Sequence, residues 1–236
     1  LYHRRTVVLP LMHGSQMAPC AIAGLARRGQ PGLHVPRGMQ LRRFSGVLEH
    51  TAYLNMILNA KVYDVCRRTD LHFAPGLSKT TGSRVFLKRE DQQSVYSFKL
   101  RGAYNKIVNL TSEEKAMGIC ACSAGNHAQG VAFSAAALDI SAKIFMPQTI
   151  PNIKVDAVRR FSNEKSEVIL VGDNYDAAYA ATMECMKAEG RVLVHPFNDP
   201  LVIAGQGTIG KEILEQTTKE DVEAVFCCVG GGGLLA

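Results

Sequence analysis

Short apolar runs alternate with amphipathic segments from Tyr53 onward, and this alternation predicts the fold. Apolar residues at 53–62 recur at helical spacing, whereas 85–87 is a compact apolar run typical of a strand. Farther along, the pattern predicts strands at 119–122, 142–146, 168–171, 192–194 and 224–229, and helices at 99–107, 128–138, 152–161, 173–189 and 201–216. Strand and helix in strict alternation indicate an α/β fold whose parallel sheets are covered by helices on both faces.

Residues 1–48 differ from the rest of the chain in charge. This segment has no acidic residue, and subtracting its seven arginines from the formal net charge of +6 leaves −1 for the remainder. The folded part therefore carries no net basic charge, which argues against a nucleic-acid partner. An arginine-rich, acid-free segment is typical of a transit peptide or a disordered tail, and we expect a plastid location. The arginines are Arg4, Arg5, Arg27, Arg28, Arg37, Arg42 and Arg43.

The composition also excludes several other classes of protein. No apolar run approaches the ~20 residues that a membrane-spanning helix needs, so we expect no membrane partner. The seven cysteines form no C-x-x-C pair, and we expect them to be reduced intracellular thiols. His127 and His195 have no partners at metal-ligand spacing, so we predict no metal site and a structural role for His195.

Lys99 is the first candidate for chemistry, because it lies between Phe98 and Leu100 at the predicted start of a helix. A lysine that is partly removed from water has a lowered pKa, and the neutral amine can form a Schiff base or act as a general base. Ser97 is expected to cap this helix. These neighbours leave an alternative open, in which Lys99 is a helix-surface lysine with a buried stem.

Two segments at the ends of predicted strands are suited to bind anions. The loop after the strand 119–122 leads into a helix, whose free N–H groups attract a carboxylate. Four glycines follow the strand 224–229, and without Cβ atoms their N–H groups can approach a phosphate closely. The alternative for the first segment is an ordinary strand–helix turn, and the alternative for the four glycines is a flexible linker. The first loop consists of Ser123, Ala124, Gly125, Asn126 and His127, and the second of Gly230, Gly231, Gly232 and Gly233.

A third glycine pattern, at 205–211, matches two nucleotide-binding motifs but lacks their context. A phosphate loop needs Ser or Thr after its lysine, and Glu212 follows Lys211 instead. A dinucleotide fingerprint needs a full strand before the glycines and an acidic residue at the end of the next strand. Nucleotide binding is therefore the weaker alternative.

Four motifs in order give the chain a specific family resemblance. The segments S-F-K-L-R-G-A at 97–103, S-A-G-N-H-A-Q-G at 123–130, A-G-Q-G-T at 204–208 and G-G-G-G-L at 230–234 resemble the signature of plant-type biosynthetic threonine dehydratases. These are fold-type II enzymes that use pyridoxal 5′-phosphate. The resemblance extends from about residue 53 to the C-terminus, and it departs from the family at 68–72, where a Thr/Ser-Pro-Leu turn is usual.

The resemblance implies a role for each candidate residue. Lys99 would carry the cofactor as a Schiff base and take the α-proton of the substrate. Phe98 would pack beside the cofactor ring, and Asn126 would bond its 3′-oxygen. The substrate carboxylate would lie against Ser123, Ala124, Gly125, Asn126 and His127, and the phosphate against Gly230, Gly231, Gly232, Gly233 and Leu234.

The resemblance also implies a domain plan like that of the tryptophan synthase β subunit. A large cofactor domain would comprise 49–112 and 198–236, a smaller inserted α/β domain 113–197, and four chains would form a tetramer. Because the chain ends directly after the glycine loop, we expect the native protein to continue beyond Ala236. The partner of the pyridine nitrogen and any domain for isoleucine feedback would lie there.

The implied reaction is the dehydration and deamination of an amino acid. L-Threonine, or L-serine in its place, would be the substrate, and threonine would give 2-oxobutanoate and ammonia in the first step of isoleucine biosynthesis. A serine racemase-like enzyme and an inactive, truncated family member are the alternatives. Racemases of this family have a serine as a second base where this chain has Ala124, and alanine has no proton to exchange.

Overall fold

The computed structural model describes residues 6–10, 50–218 and 222–236, which form eight strands and eight α-helices. The strands are β1 Thr6–Pro10, β2 Leu71–Phe73, β3 Arg84–Lys88, β4 Ile119–Cys122, β5 Ala142–Met146, β6 Ser166–Leu170, β7 Val192–Leu193 and β8 Ala224–Val225. The helices are α1 His50–Leu58, α2 Pro75–Thr81, α3 Lys99–Val108, α4 Ser112–Met117, α5 Asn126–Ala137, α6 Asn152–Arg159, α7 Tyr175–Glu189 and α8 Pro200–Gln216. None of these helices is both long and apolar enough to cross a membrane.

The strands form two four-stranded sheets. The second sheet has the order β6-β5-β4-β7 and is parallel throughout. All four residues of β4 are buried, as expected for a strand covered on both faces. Ile119 and Ala121 pack with α5 and α6 in the main hydrophobic cluster. The predicted α/β class is thereby confirmed, and the predicted bounds of β4 and β5 agree with the structure.

The first sheet has the order β2-β3-β1-β8, and it contains two strands that the sequence did not predict. β2 runs antiparallel to β3. Thr6–Pro10 form β1 between two parallel neighbours, so the disordered-tail alternative for 1–48 is wrong for these residues, and the transit-peptide alternative stays a prediction. Local spacing did not reveal this strand, because its partners lie more than 70 residues away in the chain. The other leader residues lie outside the described part of the structure.

Helix starts and strand ends differ from prediction at the candidate site. Ser97 is not a helix cap: Phe98 occupies the N-cap position, and the buried Ser97 hydroxyl has no hydrogen-bond partner among the described residues. The predicted strand 224–229 is paired only at its beginning, where Phe226 N–H donates to the carbonyl of Val8. The chain then leaves the sheet and enters the glycine loop.

Helix α3 lies between α5 and α8, and glycines permit its close approach to both. A Cβ atom on Gly205 of α8 would lie 2.6 Å from the carbonyl oxygen of Arg101, and one on Gly130 of α5 would lie 3.2 Å from that of Lys99. The glycine pattern at 205–211 is thus part of a helix rather than a loop. The nucleotide-loop alternative is therefore wrong, and Gly205 and Gly207 have a packing function instead.

Candidate active site

Lys99 is the first residue of α3, and its amine is largely buried. The amine donates a hydrogen bond of 2.6 Å to the carbonyl of Pro196, and it lies 5.4 Å from the centre of the Phe98 ring. Burial lowers the pKa of Lys99 from 10.5 to about 8. A substantial fraction of neutral amine is therefore present near pH 8, as a nucleophile or proton acceptor requires.

His127 lies close enough to Lys99 for the two charges to interact. Its Nε2 lies 2.8 Å from the carbonyl of Val194, so the proton is assigned to this nitrogen. Burial, assisted by the charge of Lys99, lowers the pKa of His127 to about 3 and keeps the ring neutral. Its Nδ1 is a buried acceptor without a partner among the described residues.

The segment 195–198 connects the lysine with the glycine loop. His195 Nδ1 accepts hydrogen bonds from the backbone N–H groups of Phe197 at 3.3 Å and Asn198 at 2.9 Å, which fixes the turn. The ring centroids of His195 and Phe197 are 4.7 Å apart, and the two rings are packed edge to face. The structural role predicted for His195 is confirmed by these backbone contacts. The turn also orients the Pro196 carbonyl toward Lys99.

The glycine loop packs directly against Phe197. A Cβ atom on Gly231 would overlap the Phe197 ring, and one on Gly233 would lie 2.6 Å from the Phe197 carbonyl oxygen. Gly232 has a φ of +89°, which favours glycine. A cavity of about 620 Å³ opens beside the loop, and it is lined by Phe197, Asn198, Ile203, Gly231, Gly232, Gly233, Leu235 and Ala236. Lys99 is not among the lining residues.

The second predicted anion loop precedes α5. Gly125 is the N-cap, and a Cβ atom there would meet nothing within 4 Å, so open space lies next to this helix start. The Ser123 hydroxyl accepts a long hydrogen bond of 3.4 Å from Gly125 N–H. The unbonded N–H groups of the first helical turn can receive a carboxylate here. Ser123, Ala124, Gly125 and Asn126 are half-buried, and only His127 is buried.

Sequence reasoning missed the contribution of the segment 195–198. Lys99 and the glycine loop both contact this segment, and His127 contacts Val194 just before it. Pro196 acts through its backbone carbonyl, which every residue has. The only sequence signal at this position is an aromatic residue two places after a histidine. Such a pair is too common to predict a site.

A buried ion network beneath α3 was missed as well. Arg101 donates to Glu90 at 2.8 and 2.9 Å and to Glu212 at 2.7 and 3.1 Å. Lys88 donates to Glu212 at 2.6 Å, and all four side chains are 0% exposed. Two positive and two negative charges balance, as buried charges require. Glu212, which argued against a phosphate loop, thus anchors α8 to the lysine helix.

Comparison with known proteins decides the family of this site. The model of the family described as "Pyridoxal-phosphate dependent enzyme" matches residues 62–236, which is most of the chain. The chain belongs to the pyridoxal-phosphate dependent enzymes. The family predicted from the four motifs is confirmed, and so is the cofactor for which the family is named.

Curated relatives of this pyridoxal-phosphate dependent chain include threonine dehydratases. The chain is 51% identical to the biosynthetic L-threonine dehydratase of Burkholderia multivorans over 184 residues, 78% of this chain and 36% of that protein. It is 44% identical to the chloroplastic threonine dehydratase 1 of Solanum lycopersicum over 234 residues, 98% of this chain and 38% of that protein. The chain thus spans little more than a third of the length of these relatives.

Solved structures of pyridoxal-phosphate dependent enzymes share the fold. The processed form of threonine deaminase isoform 2 from Solanum lycopersicum superposes with a TM-score of 0.71 and 44% identity, over 78% of this chain and 52% of that one. Maize serine racemase superposes with a TM-score of 0.70 and 30% identity, over 77% and 54% of the two chains. The fold is therefore common to dehydratases and racemases, and it does not distinguish them.

The described residues fit pyridoxal phosphate at two points. The Lys99 amine has the lowered pKa that Schiff-base formation with an aldehyde requires. The glycine loop presents backbone that side chains would block, as Phe197 shows at Gly231 and Gly233, and such a loop suits a phosphate. Within the described residues, no group of three His, Cys, Asp or Glu side chains could hold a metal ion.

Proposed function

We propose that this protein catalyses the dehydration and deamination of L-threonine, giving 2-oxobutanoate and ammonia at the start of isoleucine biosynthesis. The observation that carries the proposal is the buried Lys99 amine, whose pKa is lowered to about 8 and which donates to Pro196 in the segment that packs against the glycine loop. The names of its dehydratase relatives support the same reaction class.

Different residues would bind the substrate and transfer the proton. The α5 start, with Ser123, Gly125 and Asn126, would bind the substrate carboxylate through N–H groups and the Asn126 amide. Lys99 would take the α-proton, because its lowered pKa leaves part of it neutral at physiological pH. Bound pyridoxal phosphate supplies an electron sink for the carbanion that this proton transfer leaves behind.

The remaining site residues would position groups rather than react. Gly230, Gly231, Gly232 and Gly233, together with Leu234, would hold the phosphate through backbone N–H groups. Phe98 would pack beside the ring of the cofactor, and Asn126 would bond its 3′-oxygen. The neutral His127 would add no positive charge beside Lys99, so the lysine pKa stays set by burial.

The test is an assay of the full chain with pyridoxal phosphate and L-threonine or L-serine. We expect the loss of the amino acid to match the 2-oxo acid and the ammonia formed, and we expect Lys99→Ala to abolish both products. Lys79→Ala, an exposed lysine on α2, is the matched control and should retain activity. Cofactor uptake without any 2-oxo acid would mean that the chain is a non-catalytic member of the family.

The same assay separates elimination from racemisation. A racemase needs a second proton carrier at position 124, and Ala124 has none, so L-serine should yield no D-serine. In Ala124→Ser we expect D-serine to appear, because a hydroxyl then faces the substrate. D-serine formed by the unchanged chain would favour a racemase instead.

We also propose the organisation of the protein around this activity. The two sheets support a cofactor domain of 49–112 and 198–236 and a small domain of 113–197. The chloroplastic plant relatives support a plastid location. Homo-oligomerisation as a tetramer is proposed from the family resemblance, and gel filtration with light scattering at several concentrations tests it.

A further inference from the structure

The turn that follows β7 contacts both candidate anchors of the cofactor. Its Pro196 carbonyl accepts a hydrogen bond of 2.6 Å from the Lys99 amine. The next residue, Phe197, packs against the glycine loop: a Cβ atom on Gly231 would lie 2.2 Å from Cδ1 of its ring, and one on Gly233 would lie 2.6 Å from its carbonyl oxygen. Adjacent residues of one turn therefore contact the Schiff-base candidate and the phosphate-binding candidate.

The side chain of His195 holds this turn together. Its Nδ1 accepts hydrogen bonds from the backbone N–H groups of Phe197 at 3.3 Å and Asn198 at 2.9 Å. Both donor residues line the cavity beside the glycine loop. The rings of His195 and Phe197 pack edge to face, which limits the positions open to the side chain that supports the loop.

Nδ1 can accept these hydrogen bonds only while it carries no proton. A neutral imidazole with its proton on Nε2 leaves Nδ1 as an acceptor, whereas the imidazolium has a donor on both nitrogens. In the charged ring, an Nδ1–H group would lie opposite the N–H groups of Phe197 and Asn198, and both hydrogen bonds would be lost. We therefore expect the turn to be closed with the neutral ring and to open when His195 is protonated.

The surroundings of His195 favour the neutral ring. Burial lowers the pKa of His195 below its ordinary value of 6.5, the carboxylate of Asp199 acts against this shift, and the charge of Lys99 adds to it. The His127 ring faces His195 from α5 and is itself kept neutral by burial. The glycine loop contributes no titratable side chain. These surroundings favour a closed turn at neutral pH.

We propose that His195 is a positioning residue of the cofactor site: its unprotonated Nδ1 holds the turn that keeps Phe197 against the glycine loop in the form that receives a phosphate. The residue acts through Phe197 rather than on the reacting atoms. The identity of the ligand rests on the proposed function, whereas the role of the ring in the turn stands without it. Loss of the acceptor should loosen the loop while Lys99 keeps its place on α3, so phosphate recognition should suffer more than Schiff-base formation.

Hydrogen exchange of the full chain without cofactor tests the turn. Two variants separate the functions of the ring: His195→Phe keeps an aromatic contact but has no acceptor, and His195→Asn keeps an acceptor, because asparagine can bond the backbone N–H two residues on. We expect the Asn198 amide to exchange faster in His195→Phe and to remain protected in His195→Asn, with β4 unchanged in both. Equal protection of Asn198 in the parent chain and in His195→Phe would overturn the proposal.

The pH dependence of the same amide keeps the test decisive if His195→Phe fails to fold. Between pH 7.5 and pH 5, the protection of the Asn198 amide relative to an unstructured peptide should fall in the parent chain. In His195→Asn it should stay constant, because an amide does not titrate. Titration of Asp199 and His127 is common to both chains, so the difference between them belongs to His195. Constant protection in the parent chain down to pH 5 would contradict the role of Nδ1.

Binding of two aldehydes tests the link to the glycine loop. The dissociation constant of pyridoxal divided by that of pyridoxal 5′-phosphate measures phosphate recognition, since Schiff-base formation at Lys99 is common to both. We expect this ratio to fall by at least about tenfold in His195→Phe, as for the loss of one hydrogen bond to a charged group, and to stay near the parent value in His195→Asn. An unchanged ratio in His195→Phe would overturn the positioning role. If the parent chain binds neither aldehyde, the proposed function fails, and the exchange experiment still decides whether His195 holds the turn.

Discussion

At the scale of single residues, the free-energy cost of burying the Lys99 amine can be measured as a change in the free energy of unfolding. The folded-state pKa of about 8 lies below the ordinary value of 10.5. The free-energy penalty of burying the charged Lys99 amine therefore has its full size below pH 8, and it disappears as the pH rises toward 10.5. After allowance for the hydrogen bond to Pro196, we expect Lys99→Met to raise the free energy of unfolding by about 2 kcal/mol at pH 7.

Urea unfolding at pH 7 and pH 10 measures this effect. The advantage of Lys99→Met should shrink at the higher pH, where the amine of the parent chain is neutral in the folded state. Lys79→Met, an exposed substitution on α2, should change stability by less than about 0.5 kcal/mol at either pH. A destabilised Lys99→Met at pH 7 would show that the amine is not desolvated.

His127 makes a contribution of the same sign at lower pH. Its folded-state pKa of about 3 lies below the ordinary value of 6.5, so the unfolded state binds more protons between these values. Stability should therefore fall as the pH decreases from 6.5 to 3, by up to about 1.4 kcal/mol per pH unit from this residue. We expect His127→Gln to flatten the slope of unfolding free energy between pH 6 and 4, and a slope equal to that of the parent chain would contradict this assignment.

At the scale of elements, the glycines of α8 have opposite expected effects. Gly205→Ala places a methyl group 2.6 Å from the Arg101 carbonyl oxygen, and backbone cannot yield cheaply, so we expect a loss of about 1–3 kcal/mol. Gly210 lies on the exposed side of the same helix with nothing within 4 Å of its Cβ position. Gly210→Ala should therefore stabilise the protein by about 0.5–1 kcal/mol. Thermal unfolding measures the change in stability of both variants. A change of the same sign in Gly205→Ala and Gly210→Ala would contradict the packing function of Gly205.

The elements also show what the sequence could predict. The alternation of helix and strand was predicted correctly from 119 to 216, because the apolar spacing within each of these elements is local. β1 was missed because its pairing is decided by distant strands, and the antiparallel β2 was missed because its three residues are too few to show an alternating pattern. Ser97 was misassigned because its hydroxyl is buried beside Phe98 rather than at the helix end.

At the scale of the whole molecule, the Arg101 network joins elements that are far apart in sequence. Arg101→Met leaves Glu90 and Glu212 with only part of their positive partners, and we expect a loss of about 3–5 kcal/mol. Lys165→Met removes an exposed ion pair with Asp139 and should cost less than about 1 kcal/mol. Chemical denaturation distinguishes them, and a small loss in Arg101→Met would contradict the network's anchoring role.

The candidate site was partly predictable at this scale. Lys99 and the two anion loops could be proposed from the local sequence, because it shows where strands end and where glycines stand. The Pro196 carbonyl and the Arg101 network were not predictable, since a backbone acceptor has no residue signature and buried charges resemble surface charges in a sequence. Tertiary contact alone assigns these groups to the site.

Reductive trapping of the cofactor tests the central claim most directly. The full chain is mixed with pyridoxal 5′-phosphate, reduced with borohydride, digested, and mapped by mass spectrometry for a phosphopyridoxyl group on lysine. We expect a single saturable label on Lys99 that is lost in Lys99→Ala and kept in Lys79→Ala. Labelling confined to other lysines, or no label at saturating cofactor, would contradict it.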